Sequence, residues 1–304
     1  MDYELNFQFQ PYQNYFKQPL RTSHGVWRIR EGIIINLTNS VGVTGRGEIA
    51  PLPWFGSETM AEAEKFCQQL GTTVTRQEIM TISDRLPCCQ FAFESAYLAL
   101  NSFESSEGSH NLDFCYLLPA GEKALNIWQD FQHTVTTFKW KIGVLPLPAE
   151  IEILQQLVAD LPPKVNLRLD ANGGLDMPQA RQLLSVTDNL KAIEFIEQPL
   201  APDCLDKILQ LSREYKTLLA LDESVANFKQ LQQVYRQGWR GIYVIKAAIM
   251  GYPSRTVEFC QNNQLDVVLS SVFETQVGRQ TVLNMARKLS HFRALGFGVK
   301  HWFE

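Results

Sequence analysis

The chain has 304 residues, with 28 Lys and Arg against 32 Asp and Glu, a net charge of −4 and a hydrophobic share of 45%. This balance excludes a disordered chain, which needs low hydrophobicity and high net charge. It also argues against a general nucleic-acid binder or a polybasic membrane-surface protein, both of which carry basic stripes.

Residues 1–16 are acidic and polar, with no basic segment leading into an apolar one, so no secretory signal is expected. No stretch approaches the ~18 apolar residues of a spanning helix. The six cysteines contain no C-x-x-C pair and are sparse for a disulfide framework, which points to reduced thiols and a cytoplasmic location. Residues 27–37 (WRIREGIIINL) alternate and then run apolar, as a strand does. Residues 42–50 read as the hairpin partner, with Gly45 and Gly47 at turn or close-approach positions. Helical spacing follows over 57–70, with Ser57 as N-cap, and again over 91–101. Residues 102–111 (SFESSEGSHN) have the composition of a linker.

Beyond the linker the pattern becomes strand, loop, helix, repeated. Candidate strands span 115–118, 137–141, 166–170, 194–197, 218–222, 241–246 and 266–270; amphipathic helical stretches such as 150–159, 177–186 and 228–237 lie between them. The strand ends Lys141, Asp170, Glu197, Asp222, Lys246 and Ser270 follow one another at intervals of 24–29 residues. That interval fits a strand plus a crossover helix. Seven or more such units favour a closed barrel. The expected fold is therefore α/β: a capping α+β domain over 1–105, a modified TIM barrel of (β/α)7β type over 106–290, and a segment 291–304, with Phe297, Trp302 and Phe303, that returns to the cap.

The C-terminal ends of barrel strands converge on one face, the active-site face. Asp170, Glu197 and Asp222 come from three consecutive strands and would repel one another without a cation between them. An all-oxygen ligand set suits Mg²⁺, with Mn²⁺ as a substitute. Lys139 and Lys141 share one side of their strand, and Lys246 stands across the barrel mouth. A lysine that is desolvated or placed beside other cations can serve as a general base. The set suits a carboxylate substrate with an acidifiable α-hydrogen, whose removal gives an enediolate.

These motifs, Lys139-Trp140-Lys141, Arg168-Leu169-Asp170-Ala171-Asn172, Ile196-Glu197-Gln198-Pro199, Leu221-Asp222-Glu223-Ser224 and Lys246, resemble the enolase superfamily in its muconate-lactonizing-like, K-x-K subgroup. A Lys base working beside Mg²⁺ is a general pattern of that superfamily. Residues 47–53 (GEIAPLP) and Ser270-Ser271 resemble the o-succinylbenzoate synthase family within it. That resemblance implies a lyase of menaquinone or phylloquinone biosynthesis. It would carry out Mg²⁺-assisted syn-dehydration of 2-succinyl-6-hydroxy-2,4-cyclohexadiene-1-carboxylate. Lys141 would be base and then acid, with Lys246 stabilising the enediolate from the opposite face. Lys139 and Arg168 would position the carboxylate and the base, with Ser270, Ser271 and Trp54 as further substrate contacts. Cap loops 21–25 and 51–57 would close over the site, with Trp54 and Phe55 shielding it from water. Glu223 is expected to pair with a lysine. Val272-Phe273-Glu274-Thr275 departs from the family pattern, with a Phe and a Glu where smaller or more polar residues are expected. The same lysine pair also suits an N-acylamino acid racemase, a dipeptide epimerase or a cycloisomerase. A non-catalytic relative has no use for the whole Lys–Asp–Glu–Asp–Lys set. The partner is a small carboxylate, not a nucleic acid or a membrane.

Overall fold

The computed structural model describes residues 4–22, 25–101, 112–131, 134–289 and 293–298. The cap begins with two long strands, β1 (Leu5–Thr22) and β2 (Gly25–Thr38), followed by β3 (Thr44–Ile49). With the short β4 (Thr73–Val74) they form an antiparallel sheet in the order β3-β2-β1-β4. The sequence pattern did not reveal β1, whose alternation is carried by Gln, Asn and aromatic residues instead of aliphatic ones. Helices α1 (Met60–Gln69), α2 (Arg76–Met80) and α3 (Pro87–Asn101) cover one face of this sheet. The N-cap of α1 is Thr59, not Ser57: Thr59 and Glu62 form a capping box. Ser57 Oγ instead accepts the Leu52 backbone N–H (2.7 Å) and closes the preceding turn. Gly45 and Gly47 are close-approach positions, because a Cβ at either would collide with the Ala96 or Ala92 carbonyl oxygen of α3.

The second body is a parallel sheet of eight strands: β5 (Phe114–Leu118), β6 (Thr137–Lys141), β7 (Asn166–Asp170), β8 (Ile193–Glu197), β9 (Leu219–Leu221), β10 (Ile242–Ile245), β11 (Val267–Leu269) and β12 (Leu295–Gly298). Its order is β11-β10-β9-β8-β7-β6-β5-β12. A parallel bridge between Ser270 and Gly296, with Ser271 N–H donating to the Gly296 carbonyl (3.1 Å), brings the two edges together and closes the barrel. The connections carry the short α4 (Ala124–Ile127) and then α5 (Leu147–Asp160), α6 (Met177–Thr187), α7 (Leu205–Glu214), α8 (Phe228–Arg236), α9 (Pro253–Asn262) and α10 (Gln276–Lys288). The strands β9, β10 and β11 are apolar throughout because both faces are covered, and Asp222 and Lys246 stand just past the ends of β9 and β10.

One expectation needs correction. Residues 295–298, placed by sequence in a segment returning to the cap, form the eighth barrel strand. Leu295 pairs with Phe114 and Gly298 with Tyr116, and Phe297 is buried. Two glycines in a four-residue strand gave too weak a pattern to read. Trp302 and Phe303 lie outside the described residues, as do the 102–111 linker, with it the 105/106 boundary, and the 23–24 turn of the cap loop. Among the described residues no helix is long and apolar enough to cross a membrane.

Candidate active site

Parallel register brings the strand-end residues level. Lys141 pairs with Asp170, and Asp170 with Glu197. Asp222 follows β9 directly, held by Gln198, whose Oε1 accepts the Asp222 N–H (3.1 Å) and the Ser224 N–H (3.2 Å). All three carboxylates are buried, at 2–5% exposure. Asp170 and Asp222 line a cavity of about 750 Å³ roofed by the cap, and Glu197 lies behind them against Lys139. Lys139, Lys141, Lys246, Ser270 and Ser271 line it from the barrel; Lys17, Trp27, Leu52, Trp54 and Phe55 line it from the cap.

The lysines are not equivalent. Lys139 Nζ lies 2.8 Å from both Asp170 Oδ2 and Glu197 Oε1. Burial alone would lower its proton affinity, but Asp170, Glu197 and Asp222 outweigh that and hold it well above the ordinary lysine value. The two carboxylates occupy its ammonium in this arrangement. Lys141 Nζ makes a neutral contact instead, donating to Asn172 Oδ1 (3.1 Å). Lys246 pairs with Asp222 on one side and faces the Phe55 ring on the other, 4.0 Å from its centroid.

The acids divide in the same way. Burial pushes Asp170 up, yet the Lys139 and Lys141 ammoniums and the Asn172 N–H hold it below the usual carboxylate range. Burial and the neighbouring Asp170 charge push Glu197 upward against the pull of Lys139. Glu223 accepts from Asn172 Nδ2 (3.1 Å) and makes no ion pair among the described residues, contrary to the expected lysine contact. Its Oε2 is buried without a hydrogen-bond partner, and burial raises its proton affinity.

Arg168 requires the clearest correction. It does not line the cavity. Two residues before Asp170, it faces the same side of β7 but one layer deeper in the barrel. There its guanidinium donates to Glu194 Oε2 (2.6 Å) and to the Ala294 carbonyl (2.7 Å), and lies 4.9 Å from the Phe195 ring centroid. A cation buried at this depth needs an acid beside it, and Glu194 is that acid. Arg168 is therefore a structural residue that ties β7 to β8 and to the entry of β12.

Ser270, Ser271 and Trp54 line the cavity. The Phe and Glu after β11 have separate tasks. Phe273, at φ 62°, packs edge-on against Phe16 and Trp27 of the cap. Glu274 turns away from the cavity and accepts from Ser271 Oγ (2.8 Å) and the Val272 N–H (2.7 Å), bracing the β11 exit. Sequence reasoning gave no role to Asn172, which joins Lys141 to Glu223; its position two residues after Asp170 was the available signal.

The donor set fits a hard divalent cation. It offers three buried carboxylates on adjacent strand ends and an unpartnered Glu223 oxygen beside them. As the side chains stand, Lys139 bridges two of these carboxylates and Lys246 holds the third, and no group of three or more such donors is gathered as an ion cage among the described residues.

A parallel barrel with an N-terminal cap and this strand-end array defines a class, and comparison with known proteins agrees. A family model described as enolase C-terminal domain-like matches residues 124–303, and one described as MenC, N-terminal domain matches 12–100. The chain belongs to the enolase superfamily and, within it, to the o-succinylbenzoate synthase family. The o-succinylbenzoate synthase of Thermosynechococcus vestitus is 38% identical over 98% of this chain and 94% of its own length. That of Aliivibrio fischeri is 27% identical over 84% and 78%. The crystal structure of o-succinylbenzoate synthase from Thermosynechococcus elongatus, complexed with Mg in the active site, superposes with a TM-score of 0.92 at 37% identity, covering 99% and 95% of the two chains. An L-Ala-D/L-Glu epimerase from Bacillus subtilis reaches a TM-score of 0.80 at 18% identity, over 100% of this chain and 92% of its own, a likeness of fold alone.

Proposed function

We infer that the protein dehydrates 2-succinyl-6-hydroxy-2,4-cyclohexadiene-1-carboxylate to o-succinylbenzoate. The observation that carries this reading is the 38% identity to an o-succinylbenzoate synthase across nearly the whole of both chains, cap included. Asp170, Glu197 and Asp222 would hold Mg²⁺, or Mn²⁺ on the same oxygen donors. When bound, the ion supplies Lewis-acid stabilisation of the charge that proton removal leaves on the substrate carboxylate.

The remaining work falls to side chains. Lys141 takes the proton from the ring carbon that bears the carboxylate. The electron pair is held as the enediolate of the carboxylate and then moves into the ring as the neighbouring carbon–oxygen bond breaks. The same Lys141, now protonated, gives its proton to the departing hydroxide, which leaves as water from the face the proton left. One residue can play both parts because removal and departure are syn. Aromatisation of the ring drives the step. Lys139, set between Asp170 and Glu197, offsets part of the repulsion between those carboxylates. Lys246 presents its ammonium from the opposite side, Asn172 orients the Lys141 amine, and the cap aromatics keep water out. The six free thiols favour a cytoplasmic enzyme.

The test is the disappearance of diene absorbance with Mg²⁺ present, in wild type and Lys141→Ala. The variant should lose activity by about 10³-fold, within the span of general acid–base effects. Full dehydration by Lys141→Ala would overturn the assigned base. A wild type that leaves the diene intact but exchanges the α-hydrogen of N-succinyl amino acids in D₂O would instead identify a racemase.

A further inference from the structure

We propose that Phe55 is a positioning residue whose ring face holds the Lys246 ammonium at the reaction centre, so that the cap takes part in placing a barrel lysine. The inference rests on the role given to Lys246 under Proposed function. Three observations carry it. The Lys246 Nζ stands 4.0 Å from the Phe55 ring centroid, well inside the range of a cation–π contact. Lys246 is less restrained than Lys139. Lys139 is fixed by two carboxylates, whereas Lys246 has one ion-pair partner among the described residues, Asp222, and that carboxylate also belongs to the proposed metal set.

Phe55 is itself held in place. It ends a 3-10 turn, Pro53–Phe55, closed by Gly56 in the left-handed region (φ 85°), with the Gly56 N–H donating to the Pro53 carbonyl (2.9 Å). Ser57 Oγ then accepts the Leu52 N–H and locks the turn against the cavity.

The choice of an aromatic ring has a physical reason. A carboxylate facing Lys246 from the cap would fix the ammonium but consume its charge. A ring attracts the cation through its quadrupole and leaves the full positive charge available to an anion forming on the substrate. A neighbouring aliphatic side chain would fill the space without fixing the charge.

The experiment compares Phe55→Leu with Phe55→Tyr. Leu keeps apolar bulk but has no quadrupole; Tyr keeps both. In Phe55→Leu, kcat should fall about 3- to 30-fold, the range of cation–π strength expressed as a rate, with KM moving less than about 2-fold. Phe55→Tyr should restore kcat. A second readout needs no turnover. In protein carrying ¹³C-lysine, the Hε signals of Lys246, assigned by their loss in Lys246→Arg, should be shifted upfield by the ring in wild type and Phe55→Tyr and unshifted in Phe55→Leu. The wild-type shift tests the contact even if the Leu variant does not fold. Equal kcat in Phe55→Leu and wild type, equal loss in Leu and Tyr variants, or an unshifted wild-type signal would each overturn the proposal. A wild type that shows the ring-shifted signal but does not dehydrate the diene would sink the assigned reaction and leave the contact standing.

Discussion

Glu48 of the cap accepts the backbone N–H of Thr275, the residue that caps α10 of the barrel, at 2.8 Å. The same carboxylate accepts the Thr275 hydroxyl, the Gly278 N–H (2.9 Å) and the Tyr12 hydroxyl (2.5 Å), and it is fully buried. A side chain from β3 thus satisfies the first-turn donors of a helix more than 220 residues later, just after the cavity-lining exit of β11. Its charge also pushes up the Tyr12 phenol, after the larger effect of burial.

Glu48→Ala strands the Thr275 and Gly278 donors in a buried interface. The expected cost is about 2–4 kcal/mol of unfolding free energy, in keeping with the loss of a buried charged hydrogen-bond acceptor. Urea denaturation measures it. A loss below about 0.5 kcal/mol would mean that the cap and barrel are joined by apolar packing alone.

Arg168→Met separates a structural role from a substrate-binding one. Glu194 keeps Arg293, at 2.6 Å, but loses its deeper partner, and the Ala294 carbonyl loses its donor. Stability should fall by roughly 3 kcal/mol, as when one member of a buried ion pair is removed. The folded variant should keep kcat and KM within about 3-fold, because the wild-type guanidinium does not reach the cavity. A selective rise in KM with unchanged stability would return Arg168 to the substrate.

Glu274 sets a pH dependence away from the metal-binding end. Burial, with some help from Glu48, pushes its carboxyl from 4.5 to about 7. An acid raised in the folded state keeps a proton that the unfolded chain has already released. Stability therefore falls as pH rises from about 4.5 to about 7 and levels off above that, by on the order of 3 kcal/mol in all. Glu274→Gln should flatten this part of the profile, so the difference between wild-type and variant denaturation curves should grow with pH in that window. Parallel curves across it would show that Glu274 ionises normally.

Metal removal and return give an expectation independent of turnover. After EDTA treatment and dialysis, adding Mg²⁺ should raise the melting temperature, because a ligand bound only by the folded state stabilises it, by about 2.7 kcal/mol at a hundredfold excess over Kd. Asp222→Asn and Glu197→Gln should each abolish the rise. A rise that survives both substitutions would place the ion elsewhere.

Much of this protein was legible before folding. The barrel followed from strand ends recurring at a near-constant interval, because each βα unit needs about the same length of chain to return to the sheet. β7 runs over the predicted Asn166–Asp170. The three carboxylates and three lysines stood at strand ends, where polar residues are conspicuous against buried, apolar strands. A sequence pattern of this kind determines which residues reach the barrel mouth. It does not determine depth. Arg168 and Asp170 share a strand face, and only the third dimension puts Asp170 at the mouth and Arg168 against Glu194 one layer below. Nor does it determine partners that lie far apart in the chain. The Glu48–Thr275 contact, the Phe55 ring over Lys246 and the closure of the barrel by β12 each join segments whose local patterns carry no sign of one another. Local sequence sets which way a side chain points along its own strand or helix. What it meets there is decided by packing, which brings together groups that the chain keeps apart.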